Sequence, residues 1–135
     1  MTLRFARVSF LDEAMDDLRR LADRSQVMLV EVFRLLKALD ASALTPVPLH
    51  DYAKTGDLTD CAKIVVELAG EPEHRIVVRD LGGGNFEVSE VVAVEDRAED
   101  LPYLLAGLRL GRLEDPVRRS DAQRRVDRIR RLRDR

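Results

Sequence analysis

Between Cys61 and Leu110 the chain carries three strand-like segments, then an arginine, a tyrosine and a short helix start, and few folds accept that order of elements with those polar residues. Side chains alternate along Cys61 to Leu68 and along His74 to Leu81, so Ile64, Val66, Leu68, Ile76 and Val78 point to one side. Lys63, Arg75 and Arg79 then point to the other. This pattern predicts a sheet with one face on a core and the other carrying cations. Arg97 and Tyr103 follow the third segment closely enough for the loop and helix start to fold back over its end, so two strands and a loop can converge on one basic pocket.

The flanking sequence supplies the rest of an α+β fold. Phe5 to Phe10 reads as a strand. Asp12 and Glu13 then open a helix whose apolar positions Ala14, Met15, Leu18, Leu21 and Ala22 recur at helical spacing, ending near Arg24. Ser25 is suited to cap a second helix, with Val27, Val30, Phe33, Leu36 and Leu39 on or near one side. The two helices are expected to pair antiparallel over the sheet. From Ala41 to Thr59, two prolines, Gly56 and several Asp and Thr residues break periodicity, which predicts a long surface connection of the kind that often carries function. Gly70 to Glu73 and Gly82 to Asn85 read as the turns between strands. The triple glycine lacks the lysine and hydroxyl residue of a nucleotide loop and lies between strands, so it is a hairpin turn and not a phosphate cradle.

Pro102 suits the first turn of a helix reaching Arg112, with Glu99 and Asp100 just ahead of it. Asp115-Pro116 and Ser120-Asp121-Ala122-Gln123 both look like helix starts, and Ala122, Val126, Ile129 and Leu132 form a thin apolar stripe. That stripe suggests docking of an extra helix on the body or on a partner, with its arginines paired or solvated in preference to binding nucleic acid.

At 135 residues the chain suits one domain with a genuine core. Its single cysteine, Cys61, excludes an internal disulfide and a cysteine cluster for zinc. His50 and His74 lack helical pairing and the acids are scattered, so neither a metal nor another cofactor is expected. Met1 to Phe10 reads as neither a signal peptide nor a membrane span, and a cytoplasmic protein with no membrane partner is expected. The net charge of -2 conceals a division: residues 109–135 hold eleven arginines against five acids, while residues 1–108 hold twelve basic residues against twenty acidic ones. An acidic body is a poor surface for a polyanion, which argues against ready RNA binding.

The segments Cys-Ala-Lys-Ile-Val at 61–65, His-Arg-Ile-Val-Val-Arg at 74–79 and Val-Val-Ala-Val at 91–94, with Arg97 and Tyr103, resemble the RelE/ParE superfamily of toxins from bacterial type II toxin–antitoxin modules. The likeness spans roughly residues 3–112. It implies a mainly antiparallel four-stranded sheet in the order β-α-α-β-β-β-α, with an N-terminal helical hairpin on one face, in a toxin domain over residues 1–112. Residues 113–135 lie outside the likeness and read from their own pattern as a basic, helical C-terminal extension that adds an extra helix.

RelE-like ribonucleases promote attack of a 2'-hydroxyl on the adjacent phosphorus, which needs a base, positive charge for the phosphorane and an acid for the leaving oxygen. The resemblance lays those tasks on Lys63 as base or charge stabiliser, Arg75 and Arg97 as phosphate holders, and Tyr103 stacking on or orienting the nucleotide. Val65 departs from the pattern, because many members carry a second basic residue there. Plainer roles stand beside these: Arg75 neutralising Glu71, Glu73 or Glu87, Arg97 tying down the acidic loop from Glu95 to Asp100, Tyr103 packing, and a Glu67–Arg79 ion pair. His74, by alternation, points away from Arg75.

The implied function is a ribosome-dependent mRNA endoribonuclease neutralised by a cognate antitoxin, with the ribosome and mRNA as partners. The alternatives are a ParE-like inhibitor of DNA gyrase and a family member that acts only through protein binding.

Overall fold

A computed structural model describes residues 5–133. The elements are β1 (Val8–Phe10), α1 (Asp12–Arg24), α2 (Gln26–Asp40), β2 (Val47–Pro48), β3 (Asp51–Tyr52), β4 (Gly56–Asp57), β5 (Cys61–Val66), β6 (His74–Gly82), β7 (Val88–Asp96), α3 (Leu101–Arg109) and α4 (Pro116–Arg133). Five strands form one mixed sheet in the order β1-β7-β6-β5-β2, with β1 parallel to β7 and the other pairs antiparallel; β3 and β4 form a separate small hairpin.

The expected sheet had four strands, and the fifth, β2, comes from the segment read as a surface connection. Its two residues pair with Ala62 and Lys63, too short a contact to leave any alternation in the sequence. Pro48 is tolerated there because β2 is an edge strand, where a missing N–H costs no ladder bond.

α1 and α2 are separated by Ser25 alone, whose hydroxyl accepts the Met28 N–H at 3.1 Å as an N-cap. Their apolar residues Leu18, Leu21, Met28, Val32 and Leu36 pack with Ile64, Val66, Ile76, Val78, Val91 and Val94. The opposite sheet face does not simply carry cations: Cys61, Val77, Val92 and Ala93 are buried there beneath Leu101, Leu104 and Leu105 of α3 and Ala122, Val126 and Ile129 of α4. A bulge in β7, where Val77 pairs with Ala93 and Val78 with Val91, lets Val92 and Ala93 both serve this second core. Leu132, the last member of the expected stripe, is exposed.

β1 covers only Ser89 to Val91 of β7, leaving an open edge beyond. There Asp17 of α1 accepts the Val94 N–H at 2.9 Å and Arg109 of α3 donates to the Val92 carbonyl at 2.9 Å. The two side chains also pair with each other through two contacts, at 2.6 and 2.9 Å. One ion pair thus satisfies the backbone groups that a longer β1 would have taken. α4 closes over the neighbouring Glu95, which is buried and paired with Arg24, Arg130 and Arg133. The expected Glu67–Arg79 pair is not formed; Arg79 donates instead to Glu90, its register partner on β7, at 2.7 Å.

Candidate functional site

The geometry of the site follows from register. Lys63 lies opposite Val77 and Arg75 opposite Val65, so Lys63 and Arg75 are diagonal neighbours on one face near the β5–β6 turn. β7 then ends at Asp96, and Arg97 with the 3-10 turn Ala98–Asp100 swings the chain toward α3. Glu99 and Asp100 both take left-handed backbone, with φ of 48° and 64°, which is the sharp reversal that sets Tyr103 above the strand ends.

Lys63, Arg75 and Tyr103 line one cavity of about 670 Å³, walled on its far side by Leu49, Tyr52, Lys54 and Thr55. Arg97 is outside it. This arginine lines an adjoining cavity of about 380 Å³, again with Arg75 and Tyr103, and its side chain is 65% exposed. Three of the four residues expected to converge therefore share a cavity, and the fourth is one step removed at its rim.

Arg75 is the hub. Its Nη1 donates to the Tyr103 hydroxyl at 2.6 Å, its Nε donates to Glu73 Oε2 at 2.8 Å, and its Nη2 also pairs with Glu73. Burial works against the guanidinium charge, but the bonds to Glu73 and Tyr103 outweigh it and leave the pKa above its ordinary value. Burial likewise raises the Tyr103 phenol, with Arg75 pulling the other way. Tyr103 is therefore a neutral hydroxyl at pH 7, able to donate its proton while accepting from Arg75. Glu73 is held below the usual carboxylate range, first by its hydrogen bonds from Arg75, with Arg97 and Lys63 adding to the effect.

The far wall is the β3–β4 hairpin, and it is fixed closely. A Cβ on Gly107 of α3 would lie 2.1 Å from the Thr55 carbonyl oxygen, and one on Gly56 would lie 2.2 Å from that of Arg112. Only glycine lets α3 and the hairpin approach this far. Arg112 adds a fork to Asp60 at 2.7 and 2.8 Å and a bond to the Asp57 carbonyl.

Sequence reasoning did not find Tyr52 or Lys54, for which the Thr55-Gly56 turn inside the long connection was the available signal. Glu73 was one of three acids expected to neutralise Arg75, and the structure selects it, two positions ahead of that arginine. His74 is buried, its Nδ1 2.8 Å from the Pro72 carbonyl, and is not among the residues that line either cavity. Val65 leaves no second cation on β5, so Lys63 is the strand's sole basic residue. Cys61 lies under α3 with its thiol pushed up to about 12, chiefly by burial, and is no nucleophile. Among the described residues, no cluster of His, Cys, Asp or Glu is arranged to hold a metal ion. None of the described helices is long and apolar enough to cross a membrane.

No family model matches the chain, and no curated protein matches it in sequence. Among solved structures it is similar to an arginine-to-alanine double mutant of the E. coli toxin RelE in the free state, with a TM-score of 0.54 at 16% identity. The match covers 82% of this chain and 99% of that one. At that identity the likeness establishes a RelE-like fold: a mixed sheet with the helices distributed as described above.

Proposed function

We propose that the chain is the toxin of a toxin–antitoxin module, acting as a metal-independent endoribonuclease on mRNA at the ribosome. The observation that carries this reading is the meeting of Lys63, Arg75 and Tyr103 in one cavity with Arg97 on its rim, on a RelE-like fold. A cavity of this size accepts a nucleotide, and its polar groups are those a 2'-hydroxyl attack needs. Lys63 takes the proton of the attacking hydroxyl or steadies the developing charge. Arg75 and Arg97 hold the phosphate, and Tyr103 orients the nucleotide while offering a phenolic proton near the leaving oxygen. A cognate antitoxin neutralises the toxin by covering this face, where Arg97, Tyr52 and Lys54 are exposed.

Inducible expression should arrest growth, and mRNA cleavage ends should map within translated codons. The double substitution Arg75→Ala and Arg97→Ala should relieve arrest while the protein remains folded. Arrest that persists in that variant removes the nuclease reading. A second reading has its own support: Val65 in place of a base, together with the acidic body, favours a ParE-like protein that binds DNA gyrase without catalysis. Inhibition of supercoiling by the purified protein, with no cleavage of mRNA, is the result that selects it.

A further inference from the structure

Glu73 stands where the cations of the site converge. Its Oε2 accepts from Arg75 Nε at 2.8 Å and from Arg75 Nη2, and it lies 3.9 Å from Arg97 Nη1. With Tyr103 on Nη1, three of the five N–H donors of Arg75 are engaged, and both donors of its Nε–Nη2 edge face Glu73. A phosphodiester therefore meets that edge already occupied.

The turn that carries Glu73 is pinned by its backbone and its other residues. The Arg97 N–H donates to the Glu73 carbonyl at 3.0 Å, the Ser25 hydroxyl donates to the Glu71 carboxylate at 3.0 Å, and the His74 ring contacts the Pro72 carbonyl. The Glu73 side chain, in contrast, is a quarter exposed and bonds only to arginine side chains. It can rotate into solvent without disturbing the turn.

We propose that Glu73 is a built-in stand-in for the substrate phosphate: its carboxylate occupies the guanidinium edge that a phosphodiester oxygen uses, and substrate binds Arg75 by displacing it. The inference deepens the reading of this cavity as a phosphodiester site and rests on it. Carboxylate and phosphate both offer oxygens matched to a guanidinium fork, and the two cannot share one edge because both are anionic. Glu73 is thus a specificity-determining residue. It disfavours small isolated anions, which gain nothing but Arg75, and admits a strand whose neighbouring groups make further contacts along the cavity at Lys54 and Tyr52.

The test is a calorimetric titration of the full chain with two probes, pyrophosphate and a short single-stranded DNA that lacks the attacking hydroxyl. Glu73→Gln keeps the shape and an acceptor for Arg75 but removes the competing charge. It should bind pyrophosphate about tenfold more tightly than the parent, with a smaller gain for the DNA. Combining it with Arg75→Ala should erase the gain. Unchanged or weaker pyrophosphate binding by Glu73→Gln overturns the proposal, as does a gain that survives in the Arg75→Ala background. Tighter pyrophosphate binding in a protein that cleaves no mRNA sustains the role of Glu73 and removes only the nuclease reading.

Discussion

Two arginine–carboxylate clusters flank the C-terminal half of β7, and burial separates them. Around Asp17 and Glu95, whose side chains are 0% and 1% exposed, Arg109, Arg20, Arg24, Arg130 and Arg133 gather beneath α4. Around Glu73, 25% exposed, Arg75 and Arg97 face a cavity. The residue types are the same in both places. Where the acid is sealed, the pair is structural, because the carboxylate has no water to return to. Where the acid can reach solvent, the arginines remain available to another anion. The comparison teaches that a conspicuous arginine is assigned by the freedom of its counter-ion.

The sharpest way to break the comparison is to remove a carboxylate from the sealed cluster. Asp17→Ala removes the counter-ion of Arg109 and the acceptor of the Val94 N–H together, and should cost about 3–5 kcal/mol in urea denaturation. A loss near that of an exposed ion pair would show that the cluster is open to water after all. Gly107→Ala comes next: the new methyl meets the Thr55 carbonyl, and forcing α3 from the hairpin should cost about 1–3 kcal/mol while loosening the cavity wall. Both effects are read by the same denaturation series, with loss of mRNA cleavage as a second readout for the glycine.

For the open cluster the order of effects reverses. Arg75→Ala should abolish growth arrest yet shift the melting temperature by only a small fraction of the Asp17→Ala shift. A large stability loss with activity retained would place Arg75 with the structural arginines. The last effect, absent at neutral pH, concerns Cys61. Its thiol ionises near 9 in the unfolded chain and at about 12 in the folded one, so the folded state holds the proton that the unfolded state loses. Its contribution is whole below pH 9 and falls by about 1.4 kcal/mol per unit as pH rises above it. Denaturation at pH 8 to 11 should show a shallower decline for Cys61→Ala than for the parent.

Much of the fold is legible in the residues because it is local. Alternation in β5 and β6 correctly separates Ile64, Val66, Ile76 and Val78 from Lys63, Arg75 and Arg79, and Ser25 announces the start of α2 through its own hydroxyl. The second core was hidden because Val77 shares its face with Arg75 and Arg79, so the period-2 pattern looks polar there. Strands of two residues, such as β2, are shorter than one period of any pattern. Of the candidate site, the approach of Lys63, Arg75 and Tyr103 followed from the order of elements and the family likeness. The displacement of Arg97 to the rim did not, since it depends on the left-handed turn at Glu99 and Asp100, whereas the pairing of Arg75 with Glu73, two positions away, was among the plainer roles the residues offered. Asp17 and Arg109 are 92 positions apart, beyond the reach of any local signal.

The parallel pairing of β1 with β7 has a consequence for biosynthesis. Val8 meets Ser89, so an emerging nascent chain displays its first strand and the α1–α2 apolar faces well before their partner strand is translated. Asp17 waits longer still for Arg109. Assembly of the sheet edge is therefore a late event, and a polypeptide interrupted before α3 has neither its lock on β7 nor the Tyr103 wall of the cavity.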